Sequence, residues 1–183
     1  MEETRLQTFV LLVDNEPGIL SQIARLFNRK GYNIENMSAG PTNSVDTTRI
    51  TIQINTDNEH AELLSNQLRK IFPVHSVKII NPENSVQREL AFFKVKASNS
   101  EKRNEIIQIA NIFRANIVDV SVEALTLAVI GEGNKTHAFE KILNEYEVIE
   151  IVRTGVIAIE RGYQTIYDQT KEKGEFDYGK NVL

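Results

Sequence analysis

The spacing of apolar and polar residues changes several times along the first half of the chain. A nearly continuous apolar run at residues 8–13 is typical of a buried strand. The spacing then becomes helical, and Gly31, which follows two basic residues, indicates the end of this helix. The residues predicted to share the inward face of the helix are Ile19, Leu20, Ile23, Leu26 and Phe27.

The first half continues with three more strands and a second helix. The strands are predicted at residues 32–39, 50–54 and 74–80, a polar loop at residues 40–44, and a helix that Asp57 opens and Pro73 ends. Alternating isoleucines predict that the strand at residues 50–54 is half-buried. The residues predicted to face inward from the second helix are Leu63, Leu64, Leu68 and Ile71. The element order is therefore β-α-β-β-α-β.

The second half repeats this order after a polar linker at residues 81–85. Strands are predicted at residues 90–97, 116–122, 124–130 and 148–159, with helices at residues 101–114 and 135–146. Short stretches also repeat: "IARLF" at residues 23–27 matches "IANIF" at 109–113, and "NIENMS" at 33–38 matches "NIVDVS" at 116–121. A repeated element order with matching residues indicates two related domains.

We therefore predict an α+β protein built from two ferredoxin-like (βαββαβ) domains at residues 1–81 and 82–162, followed by a polar tail at residues 163–183. In each domain four antiparallel strands carry two helices on one face. An open sheet edge invites a partner strand, so we expect a homodimer.

The residue content argues against several classes of function. The 25 acidic and 21 basic residues give a net charge of −4, so binding of nucleic acid through phosphate neutralisation is not expected. The absence of cysteine excludes disulfides and thiolate nucleophiles. No apolar run approaches the roughly 20 residues of a membrane span, and the start does not resemble a signal peptide, so we expect a cytoplasmic protein. The scattered histidines show no metal-ligand spacing, and we predict neither a metal site nor a catalytic centre. The less favoured alternatives are a metal ion held by surface carboxylates and a nucleotide phosphate at the glycine-rich turn of residues 131–134.

The turn between the first strand and the first helix, Asn15-Glu16-Pro17-Gly18, contains residues suited to binding an anion. Helix N-terminal N–H groups lack partners, Gly18 has no Cβ to block a ligand, and Asn15 can cap the helix or contact the ligand. Pro17 fits the first helical turn. A turn with capping chemistry alone would explain the same residues. The aligned residues 101–104 of the second half contain neither glycine nor proline, which favours a binding role for the first turn.

The stretch "DNEPGILSQIARLFNRKGYNIENMSAGPT", from Asp14 to Thr42, closely resembles the N-terminal ACT domain of the small, regulatory subunit of acetolactate synthase. The later stretches "VQRELAFFKVKAS", "EIIQIANIFRANIVDV" and "GVIAIERG" are similar to the second domain of the same family. The resemblance covers roughly residues 6 to 162, nearly all of the chain outside the tail.

This resemblance implies a regulator of branched-chain amino acid biosynthesis that has no catalytic centre. Its partner would be the catalytic (large) subunit of acetolactate synthase, which holds thiamine diphosphate, Mg and FAD, whereas this chain holds no cofactor. The regulator would raise the activity of that subunit and confer feedback inhibition, usually by valine, bound where two ACT domains meet. The effector-binding residues would be Asn15, Gly18, Ile19 and Leu20 of one protomer, Asn33 of the other, and Ile34 as part of the apolar wall.

The loop at residues 40–46 resembles the segment that family regulators turn toward the catalytic subunit. The contact residues would be Pro41, Thr42, Asn43 and Arg49. A plain surface loop explains the same composition equally well. The alternative function is a free-standing ACT-type amino-acid sensor that controls another enzyme or a transcription factor.

Overall fold

The structure, a computed structural model, describes residues 4–169, and these divide into two compact units. The first unit contains the residues up to Asn84 and the described residues from Glu160 onward, and the second contains Ser85–Ile159. The elements of the first unit are β1 (Arg5–Asp14), α1 (Ile19–Lys30), β2 (Asn36–Pro41), β3 (Thr47–Thr56), α2 (Asn58–Leu68) and β4 (Val74–Ile80), with short 3-10 helices at Pro82–Asn84 and Ile166–Gln169.

The first unit has the predicted βαββαβ order and forms an antiparallel sheet with the strand order β2-β3-β1-β4. In the register of the central strands, Phe9 lies opposite Ile52 and Leu11 lies opposite Val77. Both helices pack on the same sheet face, because their buried side chains form one cluster with alternate residues of β1 and β3. The largest members of this core are Phe9, Leu11, Ile23, Phe27, Ile50, Ile52, Ile54, Leu64 and Leu68.

Several details of the first unit differ from the prediction. Leu20 and Leu63 were expected to face inward but are 44% and 55% exposed. Leu20 lies at the margin of the apolar stripe of α1, whereas Leu63 lies on the face of α2 opposite to its buried residues. The second helix ends at Leu68, before Pro73. Pro41 was expected in a loop but is the last residue of β2.

β1 and β3 are buried on both faces, so the prediction of a half-buried β3 was wrong. Thr51 and Gln53, which point away from the helices, are buried like the isoleucines that alternate with them. The 3-10 helix at Ile166–Gln169 lies against β1 and β4, on the face of β1 that points away from the helices. The predicted tail is described only as far as Gln169, and residues 170–183 lie outside the described residues.

The second unit repeats the topology with a five-stranded sheet. Its elements are β5 (Ser85–Lys96), α3 (Ser100–Phe113), β6 (Asn116–Val120), β7 (Ala124–Gly131), α4 (Gly133–Leu143), β8 (Val148–Arg153) and β9 (Ile157–Glu160). The strand order is β6-β7-β5-β8, and β9 also pairs with β5. The last strand was predicted as one piece but is broken at Gly155, whose positive φ of 75° interrupts the extended backbone.

A charged cluster ties β5, β8 and α4 together inside the second unit. The Glu89 side chain is 7% exposed, accepts a hydrogen bond from the Thr136 hydroxyl, and pairs with Nη1 of Arg153 at 2.9 Å. The other nitrogen of the guanidinium, Nη2, lies 2.7 Å from Oε2 of Glu140, and the group also lies over the Phe93 ring. Burying a carboxylate is costly unless it is paired. Arg153 supplies the positive charge that offsets the cost of burying the Glu89 carboxylate.

We expect Arg153→Met to lower the free energy of unfolding by about 2 kcal/mol, because the Glu89 carboxylate then stays buried without its cation. The matched control is Arg88→Met, which removes an exposed pair with Glu132 and should change stability by less than about 0.5 kcal/mol. Urea unfolding followed by circular dichroism measures both values, and equal losses in the two variants would contradict this role of Arg153.

Candidate functional site

The turn before α1 leads into the helix without a side-chain cap, and within it the Ile19 N–H donates to the Glu16 carbonyl at 3.5 Å. Gly18 is the N-cap of α1, with φ 93° and ψ −9°, and no side chain caps the helix there. In the second unit the Asn99 side chain accepts a hydrogen bond from the N–H of Lys102 at 2.8 Å and so caps α3. The equivalent helices of the two units therefore differ, since only α3 has its N-terminus satisfied by its own side chain.

Two details of the predicted turn were wrong. Pro17 precedes the N-cap and does not lie in the first helical turn. Residues 101–104, which were aligned with the turn, lie inside α3, because this helix begins at Ser100. The two halves still differ at the start of the first helix, since the counterpart of Gly18 in the second half is the capping residue Asn99.

Asn15 connects the turn to the hairpin loop between β2 and β3, residues Thr42–Asp46. Its Nδ2 donates to the Val45 carbonyl at 3.0 Å, and its Oδ1 accepts from the Thr48 hydroxyl at 3.1 Å. Its backbone N–H donates to the Asp46 carbonyl at 2.8 Å. Asn15 therefore does not cap α1, but the second Nδ2 hydrogen and the second Oδ1 lone pair remain for a ligand.

Asp14, directly before the turn, is paired inside the protein. Its Oδ1 lies 2.6 Å from Nε2 of His75, with both side chains largely buried, and its N–H donates to the Pro73 carbonyl. These contacts fix the end of β1 and direct the carboxylate toward β4. Sequence reasoning missed His75, because a residue 61 positions away gives no local signal.

Asn33 lies beyond the opposite end of α1 from the turn. Its Nδ2 donates to Oε1 of Glu35 at 3.2 Å, and the residue is exposed. The 12 residues of α1 span about 18 Å, so Gly18 and Asn33 of one chain lie at the two ends of the helix. A small ligand that contacts both residues therefore needs them from two copies of the chain.

The apolar residues of the predicted site also lie at the two opposite ends of α1. Ile19 is buried in the core, so it offers a ligand its backbone rather than its side chain. Leu20 is exposed beside the turn, and Ile34 is half-buried at the Asn33 end. The exposure of Leu20, which contradicts its predicted place in the core, makes its side chain available at the surface.

The hairpin loop is ordered by local hydrogen bonds. The Thr42 N–H donates to the Thr47 carbonyl at 3.2 Å, and the Thr42 hydroxyl oxygen accepts from the Ser44 N–H at 3.1 Å. Pro41 and Asn43 are exposed, and Oδ1 of Asn43 accepts from the Tyr167 hydroxyl at 3.3 Å.

Arg49 lies on β3, on the sheet face that points away from the helices. Burial lowers the pKa of its guanidinium, and the neighbouring Tyr167 and Glu160 side chains oppose this shift. These two neighbours were not predicted, since they belong to a polar stretch without a recognisable pattern.

Other kinds of site find little support among residues 4–169. No group of three or more His, Cys, Asp or Glu side chains in this range is placed to hold a metal ion. No helix in the same range is long and apolar enough to cross a membrane. A polar pocket of about 430 Å³ lies in the first unit between α2, β4 and the C-terminal segment, but no predicted effector residue lines it.

The chain contains two βαββαβ units, and the first helix of the first unit begins at a glycine turn. This architecture defines the class of two-domain ferredoxin-like proteins, to which ACT-domain regulators belong. A family model described as "AHAS small subunit-like ACT domain" matches residues 9–76. A second, described as "Small subunit of acetolactate synthase", matches residues 88–162.

Curated relatives and a solved structure agree with these models. A probable acetolactate synthase small subunit from Methanothermobacter thermautotrophicus is 41% identical over 155 residues, which cover 85% of this chain and 92% of the relative. The small subunit from Mycolicibacterium smegmatis is 38% identical, covering 87% and 93%. The crystal structure of the Thermotoga maritima small subunit has a TM-score of 0.80 at 36% identity, covering 86% and 98%. The chain belongs to the acetolactate synthase small subunit family, and its first unit is an ACT domain.

We expect Gly18→Ala to lower the free energy of unfolding by about 1 kcal/mol, because an L side chain is strained at a φ of 93°. Gly40→Ala is the matched control, since a Cβ at either glycine meets nothing within 4 Å but only Gly18 has a positive φ. The control should leave stability unchanged or raise it slightly. Urea unfolding of both variants measures the difference, and similar values would show that Gly18 is not required by its backbone conformation.

Proposed function

We propose that this chain binds the catalytic subunit of acetolactate synthase, raises its activity, and makes it sensitive to feedback by a branched-chain amino acid, with valine as the first candidate. It acts in the cytoplasm, in branched-chain amino acid biosynthesis. The chain contributes no catalytic group, and thiamine diphosphate, Mg and FAD belong to the catalytic subunit. The observation that supports a ligand site most directly is the N-terminus of α1, which no side chain caps at Gly18.

The effector is held at this N-terminus by complementary charge. Its carboxylate accepts hydrogen bonds from the N–H groups of Gly18 and Ile19, where the helix dipole favours an anion. Its ammonium donates to the amide oxygens of Asn15 and of Asn33 from the second protomer. Its branched side chain packs against Leu20 and Ile34, the two apolar residues of the predicted site that are not buried in the core.

The effector site requires a homodimer. Gly18 and Asn33 lie at opposite ends of α1, so one chain cannot bring both to one small ligand. β2 is an edge strand of the first sheet, and the pairing of two copies along β2 would extend the sheet across the dimer. Asn33 lies three residues before the start of this strand, and the hairpin loop directly follows it.

The hairpin loop and the strand residues beside it form the contact with the catalytic subunit, through Thr42 and Asn43 of the loop, Pro41 of β2 and Arg49 of β3. Asn15 belongs to the effector turn and also makes three hydrogen bonds to Val45, Asp46 and Thr48. An effector that binds the turn more tightly in one loop arrangement shifts the population toward that arrangement. The coupling is reciprocal, so the catalytic subunit also changes the affinity for the effector.

We expect Gly18→Asp to abolish binding of valine, because it places a negative charge where the carboxylate of the effector binds. The matched control is Gly162→Asp, which introduces the same charge at another glycine with positive φ and open surroundings. Valine at about 100 times its dissociation constant should stabilise the wild type and the control by roughly 2.7 kcal/mol in thermal unfolding. A Gly18→Asp protein that valine still stabilises would refute the assignment of the turn.

Mixed dimers test the shared site. In a dimer of one Gly18→Asp chain and one Asn33→Ala chain, one site loses both contributions and the other keeps Gly18 and Asn33 intact. We expect each variant homodimer to bind no valine, and the mixed dimer to bind one valine per dimer. Isothermal titration of dimers purified through two different tags counts the sites, and a mixed dimer without binding would place both residues in one protomer.

Capture of partners separates the proposal from the alternative of a free-standing amino-acid sensor. The tagged chain should recover a thiamine-diphosphate-dependent catalytic subunit from its own cells, in an amount that valine changes. Recovery of a different enzyme or of a transcription factor would favour the alternative.

A further inference from the structure

The C-terminal segment, Glu160–Gln169, is anchored on the sheet face of the first unit that points away from the helices. Ile166 is 3% exposed, and the 3-10 helix that begins with it lies against β1 and β4. Val10 and Leu12, which point to this face from β1, are fully buried. The segment is therefore part of the packing of the first unit.

Charge pairing also holds the segment in place. Nζ of Lys78, on the same face of β4, lies 2.7 Å from Oε2 of Glu160 and 4.0 Å from Oδ2 of Asp168. Lys78 and Glu160 are both mostly buried, so this pair is screened less than a surface pair. Asp168 also accepts hydrogen bonds from the N–H and the hydroxyl of Thr165, and the bond from the N–H lowers the pKa of its carboxyl.

The docked segment reaches the hairpin loop through Tyr167. The Tyr167 hydroxyl donates to Oδ1 of Asn43 at 3.3 Å, and the ring lies near Arg49. On the other side of the same loop, Asn15 donates hydrogen bonds to the carbonyls of Val45 and Asp46. The loop is thus held between the effector turn and the C-terminal segment.

We propose that the C-terminal segment is a positioning element that holds the hairpin loop in the conformation it presents to the catalytic subunit. The other hydrogen bonds of Thr42 and Ser44 are local to the hairpin and give the loop its shape. Its orientation relative to the sheet depends on Asn15 and Tyr167. Tyr167 is half-exposed beside Asn43, so it also forms part of the surface that meets the partner. This functional consequence rests on the proposed contact between the loop and the catalytic subunit.

Hydrogen exchange of the full chain without any partner tests the positioning role. Tyr167→Phe removes only the hydroxyl, and amides of residues 42–48 should then exchange about fivefold faster, as expected for a net hydrogen bond of about 1 kcal/mol. Ile166→Ala should loosen the segment and produce a larger increase, at least tenfold, in both the segment and the loop. The control is Tyr163→Phe, because the Tyr163 side chain is fully exposed and its loss should change nothing.

The inference is overturned if the segment of the Ile166→Ala protein exchanges faster while residues 42–48 keep their wild-type rates. It is also overturned if Tyr167→Phe and Tyr163→Phe have the same effect on the loop. Tyr167→Phe and Tyr163→Phe each remove only a hydroxyl group, so both proteins remain folded and their comparison decides the inference even if Ile166→Ala is too unstable to measure.

Titration of purified catalytic subunit with each variant separates this inference from the proposed function. If the loop contacts the catalytic subunit, the concentration that gives half-maximal activation should rise at least threefold for Tyr167→Phe and not for Tyr163→Phe. Faster loop exchange with unchanged activation would support the positioning role and refute the loop as the contact surface.

Discussion

The central strand β1 is the constraint on which the first unit depends. It pairs with β3 on one side and β4 on the other, and both of its faces are buried. Its last residue, Asp14, is fixed by the His75 side chain and the Pro73 carbonyl, so the strand ends at a defined point. The turn that follows is therefore presented from a rigid element, while its own residues remain exposed. Rigid support of an exposed turn is the arrangement that a binding site requires.

The two units share one topology but differ at the N-terminus of their first helix. Both contain a helix after the first strand and both pack two helices on one face of an antiparallel sheet. In the second unit Asn99 satisfies the helix N-terminus, and a buried charged cluster at Arg153 ties α4 to the sheet. In the first unit Gly18 leaves the N-terminus uncapped. The difference supports a division in which the first unit binds a ligand.

The hairpin loop connects the features of the first unit that bear on regulation. It receives hydrogen bonds from Asn15 on one side and from Tyr167 on the other. On the proposed mechanism, a change at either contact would alter the balance between loop conformations without any contact between the two groups themselves. Effector, partner and C-terminal segment would then act on one small element of the first unit.

The amino-acid sequence by itself determined the element order, the repeat and the glycine turn, because these depend on local spacing and on residue types that only a few conformations accept. The family was indicated by the resemblance of whole stretches of the chain to known members. The sequence placed Asp57 correctly at the start of α2, since capping is a short-range interaction. It did not predict the exposure of Leu20 and Leu63, the burial of Thr51 and Gln53, or the docking of Ile166. Burial depends on which distant segment covers a surface, and residues 160–169 cover a sheet built from residues 5–80. The partners of Asn15, Asp14 and Asn43 were likewise decided only by the tertiary structure, because hydrogen bonds between residues 30 to 124 positions apart leave no periodic signal in the chain.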